Sequence, residues 1–239
     1  MVSWGSPKSP VWVRFPAPLP NGNRTALRLS YLMKTFVFID ASNLFYGGEK
    51  SLGWKIDYDK LFQYLKGKYN AENVFYFGGV EIHNFPYDYQ ADETVPIKNL
   101  EKHLLTLLHD KHLNEADIVL IGRHLQRVRF YLKLKQFGYN LFLKPVKMYE
   151  QDDGTTKRKA NCDVDMAFHL MKEKDNFERV VVLSGDGDFL PVLKYLKDNK
   201  KEIIILARAN RTAREIKQFA GGSFRDFTKL EKHIKFLEK

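Results

Sequence analysis

The sequence predicts an α/β fold, a three-layer α/β/α sandwich built around a mostly parallel central sheet. Two observations lead to this prediction. Short, nearly continuous apolar runs such as Thr35–Asp40 and Arg179–Leu183 are typical of strands buried on both faces. Segments of helical length and spacing separate these runs, and that alternation indicates βαβ units with helices on both faces of the sheet.

The predicted strands are short runs rich in β-branched and aromatic residues. They are Thr35–Asp40, Asn73–Val80, Ile118–Ile121, Asn140–Val146, Arg179–Leu183 and Glu202–Ala207. The predicted helices carry apolar residues three and four positions apart. They are Asp57–Lys68, Ile97–Leu113, Gln126–Phe137, Cys162–Lys174, Phe189–Asp198, Thr212–Ala220 and Phe227–Leu237. The segments Glu81–Pro96 and Lys147–Lys159 are predicted to be irregular loops long enough to approach a substrate.

The N-terminal segment 1–32 differs in composition from the rest of the chain. It holds five of the nine prolines, four basic residues and no acid, so its removal lowers the net charge from +10 to +6. Proline excludes a regular helix there, and no apolar stretch typical of a secretory signal is present. We expect residues 1–32 to be a disordered or non-native extension, with 33–239 forming a single domain that includes the C-terminal helices.

The composition narrows the function classes. A net charge of +10 favours polyanions, with nucleic acid first and an anionic membrane surface second. One cysteine, Cys162, excludes an internal disulfide and a cysteine-based zinc site, and it fits a reducing compartment. No window is long and apolar enough to cross a bilayer. The sequence therefore predicts a cytoplasmic protein without a membrane partner, while homo-oligomerisation stays open.

Aspartates follow the predicted strands directly. Asp40 ends the first strand, Asp186 follows Arg179–Leu183, and Asp163 and Asp188 stand at or near the starts of helices. Because functional crevices in parallel sheets lie beyond the carboxyl ends of the strands, we expect these carboxylates to meet at one edge. The alternative for Asp163 and Asp188 is a helix N-cap. Asp40 and Asp186 are not needed as caps, because residues after them can fill that role.

Convergent carboxylates repel one another, and a hard divalent cation resolves that repulsion. Carboxylate and water oxygens are the ligands that Mg²⁺ and Mn²⁺ favour. The convergent acids are therefore predicted to bind Mg²⁺ or Mn²⁺, and such ions can support phosphodiester hydrolysis.

Three motifs, in this order along the chain, carry a family resemblance. FIDASNLF contains Asp40, KANCDVDMA contains Asp163, and LSGDGDF contains Asp186 and Asp188. Together they resemble the NYN domain, a branch of the PIN-like nuclease fold. The resemblance covers roughly residues 34–207 and implies an RNA-cleaving enzyme that depends on Mg²⁺ or Mn²⁺ and uses these four aspartates as ligands. LSGDGDF is the most specific of the three motifs.

The resemblance also implies roles for polar neighbours. Asn43 would orient the first motif or contact substrate, and Ser184 would help to hold the metal shell. Substrate contacts are further expected from the basic residues Arg127, Lys157, Arg158 and Lys159. The family often carries another acid late in the middle helix, where this chain has His169; Asp165 either compensates or is merely exposed.

Other functions remain open. A non-catalytic RNA-binding or regulatory module of the same fold would keep the basic surface and retain the acids as structural residues. A phosphohydrolase that forms an aspartyl-phosphate is disfavoured because Ser42, not an acid, stands two positions after Asp40. Three aromatic residues alternate in the first loop, where Phe85, Tyr87 and Tyr89 would either stack on unpaired bases or pack in the core.

Overall fold

The structure, a computed structural model, describes residues 33–45, 50–110, 112–150 and 156–237. The N-terminal segment 1–32 lies outside the described residues, so its predicted disorder stays a prediction. No helix in the described ranges is long and apolar enough to cross a membrane.

The central sheet has six strands, all parallel, in the order β3-β2-β1-β6-β7-β8. The remaining two strands, β4 and β5, form an antiparallel hairpin. The strands are β1 (Thr35–Asp40), β2 (Ala71–Val80), β3 (Asn140–Pro145), β4 (Lys147–Glu150), β5 (Thr156–Lys159), β6 (Arg179–Leu183), β7 (Glu202–Ala207) and β8 (Phe224–Asp226).

Helices cover both faces of this sheet. The α-helices are α1 (Tyr58–Tyr69), α2 (Ile97–Leu108), α3 (Glu115–Phe137), α4 (Asp163–Lys172), α5 (Leu190–Asp198), α6 (Arg214–Ala220) and α7 (Glu231–Ile234). Single helical turns lie at Ala41–Asn43 and Lys50–Leu52, and short 3₁₀ segments at Lys174–Asn176, Gly187–Phe189, Ala209–Arg211, Gly221–Ser223 and Phe227–Leu230.

Alternation along β1 produces two hydrophobic cores. Val37 and Ile39 face a cluster that α1, α2 and α3 complete. Phe36 and Phe38 face the opposite cluster, which α4, α5 and α6 complete. Successive side chains of a strand point to opposite faces, so a continuous apolar run is required where both faces are covered. The predicted three-layer α/β/α sandwich is confirmed.

Two predicted elements were wrong. Ile118–Ile121 is not a strand but part of α3, which begins after the cap Asn114, whose Oδ1 accepts a hydrogen bond from the amide of Asp117 at 2.9 Å. In that helix Ile121 is buried together with Leu125 and Val128, four and seven positions later, which is helical spacing; Ile118, in the first turn, is 47% exposed. The segment Lys147–Lys159 is not wholly irregular, because it contains the hairpin of β4 and β5.

The order of the strands places a switch point between β1 and β6. From β1 the chain fills one half of the sheet through β2 and β3, and from β6 it fills the other half through β7 and β8. The crossover connections therefore run in opposite directions from these two central strands. Such a reversal opens a crevice outside their carboxyl ends.

Candidate functional site

Hydrogen bonds join the ends of β1 and β6 at this switch point. The hydroxyl of Ser184 donates to Oδ2 of Asp40 at 3.1 Å and accepts from the amide of Asp186 at 3.2 Å. Oδ1 of Asn43 accepts from the amide of Gly185 at 3.1 Å. Two motifs that lie far apart along the chain are therefore held together as one polar unit.

The carboxylate of Asp40 is the most buried acid of this unit. It is 6% exposed, and its Oδ1 accepts hydrogen bonds from the amides of Ser42 at 2.9 Å and Asn43 at 3.1 Å. Burial raises the pKa of Asp40 to about 6; nearby Asp163 raises it further, while the hydrogen bonds from Asn43, Ser184 and Ser42 oppose the rise. Asp40 therefore retains its charge at neutral pH at a substantial cost in desolvation.

The prediction that Asp40 and Asp186 are not needed as caps was wrong. Asp40 caps the helical turn Ala41–Asn43, and Oδ1 of Asp186 accepts from the amide of Asp188 at 3.0 Å. Each is the last extended residue before the chain turns helical, so its side chain is the one placed to reach the open amides.

The other two acids are not caps. Asp163 is the first residue of α4, preceded by Cys162 at the cap position. Asp163 lies close enough to Asp40 to raise the pKa of its carboxyl. Asp188 is exposed in the 3₁₀ segment Gly187–Phe189. All four predicted acids thus belong to segments at the carboxyl edge of the sheet, and the electrostatic contact joins Asp40 to Asp163.

The donor set suits a hard divalent cation in kind, since every predicted ligand supplies carboxylate oxygens. The described part of the chain nevertheless contains no group of three acidic, histidine or cysteine side chains close enough to hold a metal ion. The assembled part of the site is therefore the Asp40 and Asp163 pair. The roles of all four acids as metal ligands stay a prediction.

Cys162 adjoins these acids. Burial raises the pKa of its thiol to about 12, and the nearby carboxylates of Asp165, Asp40 and Asp163 add to the effect, while Lys144 opposes it. A thiol with so high a pKa is not a nucleophile at neutral pH. The candidate reactive groups of this edge are therefore its carboxylates.

Sequence reasoning missed two contacts that shape the loop after β6. Thr212 packs against Gly185 so closely that a Cβ at that glycine would lie 2.9 Å from the Cα of Thr212. The carboxylate of Glu215 lies against Gly187, between the two acids of the third motif. Glu215 stands in the first turn of α6, where an acid is ordinarily a helix-stabilising residue. Its sequence position therefore gave no signal of this placement.

The residues near the middle helix separate into different roles. Asp165 forms an ion pair with Lys144 at 2.6 Å. His169 is buried with its ring 3.9 Å from that of Phe142, and burial lowers the pKa of His169, with a smaller contribution from Lys172. Asp165 is thus engaged by a lysine, and His169 packs among aromatic rings.

The predicted substrate-binding cations lie on two different elements, α3 and β5. Arg127, on α3, interacts with Tyr131 and with Glu81, just beyond the end of β2. Tyr131 donates in turn to the carbonyl of Gly79 at 2.7 Å, which fixes this part of α3 against the sheet edge. Lys157, Arg158 and Lys159 lie on β5, but their side chains fall outside the described structure.

An all-parallel sheet covered by helices on both faces, with carboxylates at its switch point, defines a three-layer α/β protein with an acidic site at the carboxyl edge of the sheet. The NYN domain model matches residues 34–228, and the chain belongs to the NYN domain family. This confirms the resemblance inferred from the three motifs.

Individual relatives are distant. The low amplitude and bright protein LabA of Synechococcus elongatus is 20% identical over 207 residues, which cover 85% of this chain and 88% of LabA. A crystallised protein of unknown function from Vibrio parahaemolyticus shares 14% identity with a TM-score of 0.55, covering 85% of this chain and 96% of its own, and supports the fold. The bacteriophage T5 D15 flap endonuclease, crystallised with DNA and metal ions, has 12% identity and a TM-score of 0.39 over 78% of this chain and 60% of its own, a score too low to establish likeness.

Proposed function

We propose that this chain is a metal-dependent ribonuclease that hydrolyses phosphodiester bonds at the carboxyl edge of its sheet. The observation that carries the proposal is the hydrogen-bonded connection from Asp40 through Ser184 to Asp186 across the switch point. It brings the first and third motifs together where parallel sheets place their active sites. Membership of the NYN domain family supports nucleic acid as the substrate class.

The carboxylates of Asp40, Asp163, Asp186 and Asp188 would hold Mg²⁺ or Mn²⁺. When bound, the ion supplies activation of water and stabilisation of the leaving oxygen. Attack by water on phosphorus would form the new P–O bond while the bond to the 3′-oxygen breaks, which would leave 5′-phosphate and 3′-hydroxyl ends.

The other polar residues have positioning roles in this proposal. Ser184 is 2% exposed and is engaged by Asp40 and Asp186, so it fixes the direction of the Asp40 carboxylate rather than contacting RNA. Asn43 holds the amide of Gly185 and so keeps the two strand ends in register. Arg127 and the basic residues of β5 would bind phosphates of the RNA strand.

The test is the Asp186→Asn variant, assayed on end-labelled single-stranded RNA in Mn²⁺ with an EDTA control. Asparagine keeps the Oδ1 that accepts from the amide of Asp188, so the turn should persist while the ligand charge is lost. We expect cleavage to fall by at least about 100-fold, the scale of loss when a charge-stabilising catalytic group is removed. The matched control is Asp226→Asn, because Oδ1 of Asp226 caps a turn after β8 in the same way, accepting from Thr228 at 3.1 Å.

Undiminished metal-dependent turnover by Asp186→Asn would refute the assignment. The second candidate function, a non-catalytic RNA-binding or regulatory module, is favoured by the capping roles of Asp40 and Asp186, since these give both acids a structural purpose. RNA binding by the purified wild-type chain without cleavage in Mn²⁺ would select that candidate.

A further inference from the structure

A groove of about 600 Å³ opens beside the carboxyl end of β3. Its walls come from the loop 81–96, from the start of β4 and from α4. Its lining includes Tyr89, Gln90, Lys147, Asn161 and Phe168. Asn161 also accepts a hydrogen bond from the amide of Asp163 at 3.3 Å, so the groove adjoins the candidate site.

Two large aromatic side chains on different elements are exposed in this groove. Tyr89, in the loop, is 61% exposed, and Phe168, on α4, is 58% exposed. Tyr87 supports Tyr89 with an edge-to-face contact at 4.9 Å and is itself tied down by a hydrogen bond from its hydroxyl to the carbonyl of Asp92 at 2.7 Å. Phe85 packs against the core and the ring of His103, and Tyr87 also contacts the core, so Tyr89 is the exposed ring among the three aromatics of the loop.

Positive charge stands beside each exposed ring. The ammonium group of Lys147 lies 5.7 Å from the ring centre of Tyr89, and that of Lys172 lies 5.9 Å from the ring centre of Phe168. Two of the three acids that line the groove are paired, because Lys172 contacts Glu93 at 3.2 Å and Lys144 contacts Asp165 at 2.6 Å; Asp92 is the third. The groove thus combines ring faces with cations and polar groups such as Gln90, a combination suited to a base and its phosphate.

We propose that this groove binds an unpaired nucleotide of the RNA strand, with its base stacked on Tyr89 and Phe168. The proposal rests on the ribonuclease function and adds to it a preference for single strands, since a base held in a duplex cannot reach the rings. The strand would run from the groove past Asn161 to the carboxylates. Specificity for unpaired RNA would then be determined outside the acidic site.

The experiment measures the dissociation constant of a labelled single-stranded RNA for the full chain in EDTA, where no cleavage occurs. We expect Tyr89→Ala and Phe168→Ala each to weaken binding by roughly 5-fold to 100-fold, the range for loss of one stacked base. Tyr89→Phe keeps the ring and should bind like wild type. Tyr195→Ala is the matched control, because Tyr195 is 44% exposed on α5, outside the groove.

Affinities within two-fold of wild type for both groove variants would overturn the proposal, as would an equal loss on a duplex of the same sequence. Failure of the ribonuclease function gives a different pattern. In that case the wild type does not cleave in Mn²⁺, yet the ring-dependent binding in EDTA persists, and the groove stands as a single-strand binding site of a non-catalytic protein.

Discussion

The buried carboxylate of Asp40 makes a quantitative prediction about stability. Its pKa rises from the usual 3.8 to about 6 on folding, chiefly through burial. Below pH 3.8 both states hold the proton, and between pH 3.8 and 6 the unfolded state releases it while the folded state retains it. The free energy of unfolding therefore falls over that interval, and above pH 6 it is lower by a constant amount of about 3 kcal/mol.

The perturbation is Asp40→Asn, studied by urea unfolding in EDTA from pH 4.5 to 7.5. Asparagine caps helices as well as aspartate and keeps an oxygen for the amides of Ser42 and Asn43. We expect the stability of the variant relative to wild type to increase by about 2 kcal/mol between pH 4.5 and pH 7. The hydrogen bond from Ser184 to Oδ2 is lost at both pH values and does not change this increase. Titrations shared by both proteins cancel in the difference.

Two controls locate the cause. Asp226→Asn removes a capping carboxylate that is only half-buried, so any pH dependence common to both variants belongs to capping rather than to burial. Saturating Mn²⁺ should narrow the difference between wild type and Asp40→Asn, because an ion that binds the folded wild type stabilises it. A stability difference that stays constant from pH 4.5 to 7.5 would refute the reasoning.

Two further predictions concern the loop after β6. Ser184→Ala should raise the pKa of Asp40 further, because the hydrogen bond from the Ser184 hydroxyl lowers that pKa. The lost hydrogen bond should also cost about 1 kcal/mol of stability. A carbon-13 NMR titration in which the midpoint of Asp40 does not move would contradict the first expectation. Gly185→Ala should destabilise the fold by about 1–3 kcal/mol, because the new methyl group would meet the backbone of Thr212. Gly122→Ala is the control in thermal unfolding, since no heavy atom lies within 4 Å of its added Cβ inside α3; equal losses for the two glycines would count against the crowding argument.

The centre of the sheet could be predicted from sequence because β1 and β6 are both apolar runs that lead directly into an acidic motif. Arg179–Leu183 and Glu202–Ala207 have the predicted bounds. The prediction of a strand at Ile118–Ile121 was wrong because a short β-branched run has no periodicity of its own. The helical pattern becomes visible only when the run is taken together with Leu125 and Val128, which are buried on the same helix. The short strand β8 was missed because Phe224–Asp226 is too brief to carry a pattern.

The candidate site was predictable only in part. The positions of Asp40 and Asp186 at one edge follow from strand order, which the motifs indicate. Their capping geometry does not, because it depends on which residue is last to be extended. Glu215 and Phe168 lie in helices whose sequence reads as ordinary amphipathic structure, and their proximity to the edge and the groove comes from packing alone.

The burial of Cys162 has a practical consequence. It is the single cysteine of the sequence, and its thiol, with a pKa of about 12, is almost entirely protonated in the folded protein. Alkylating reagents attack the thiolate, so modification requires that the beginning of α4 first open to solvent. The rate of alkylation of Cys162 should therefore report how often the start of the helix that holds Asp163 opens. A lower rate in the presence of RNA or divalent ions would measure how far each ligand suppresses that opening.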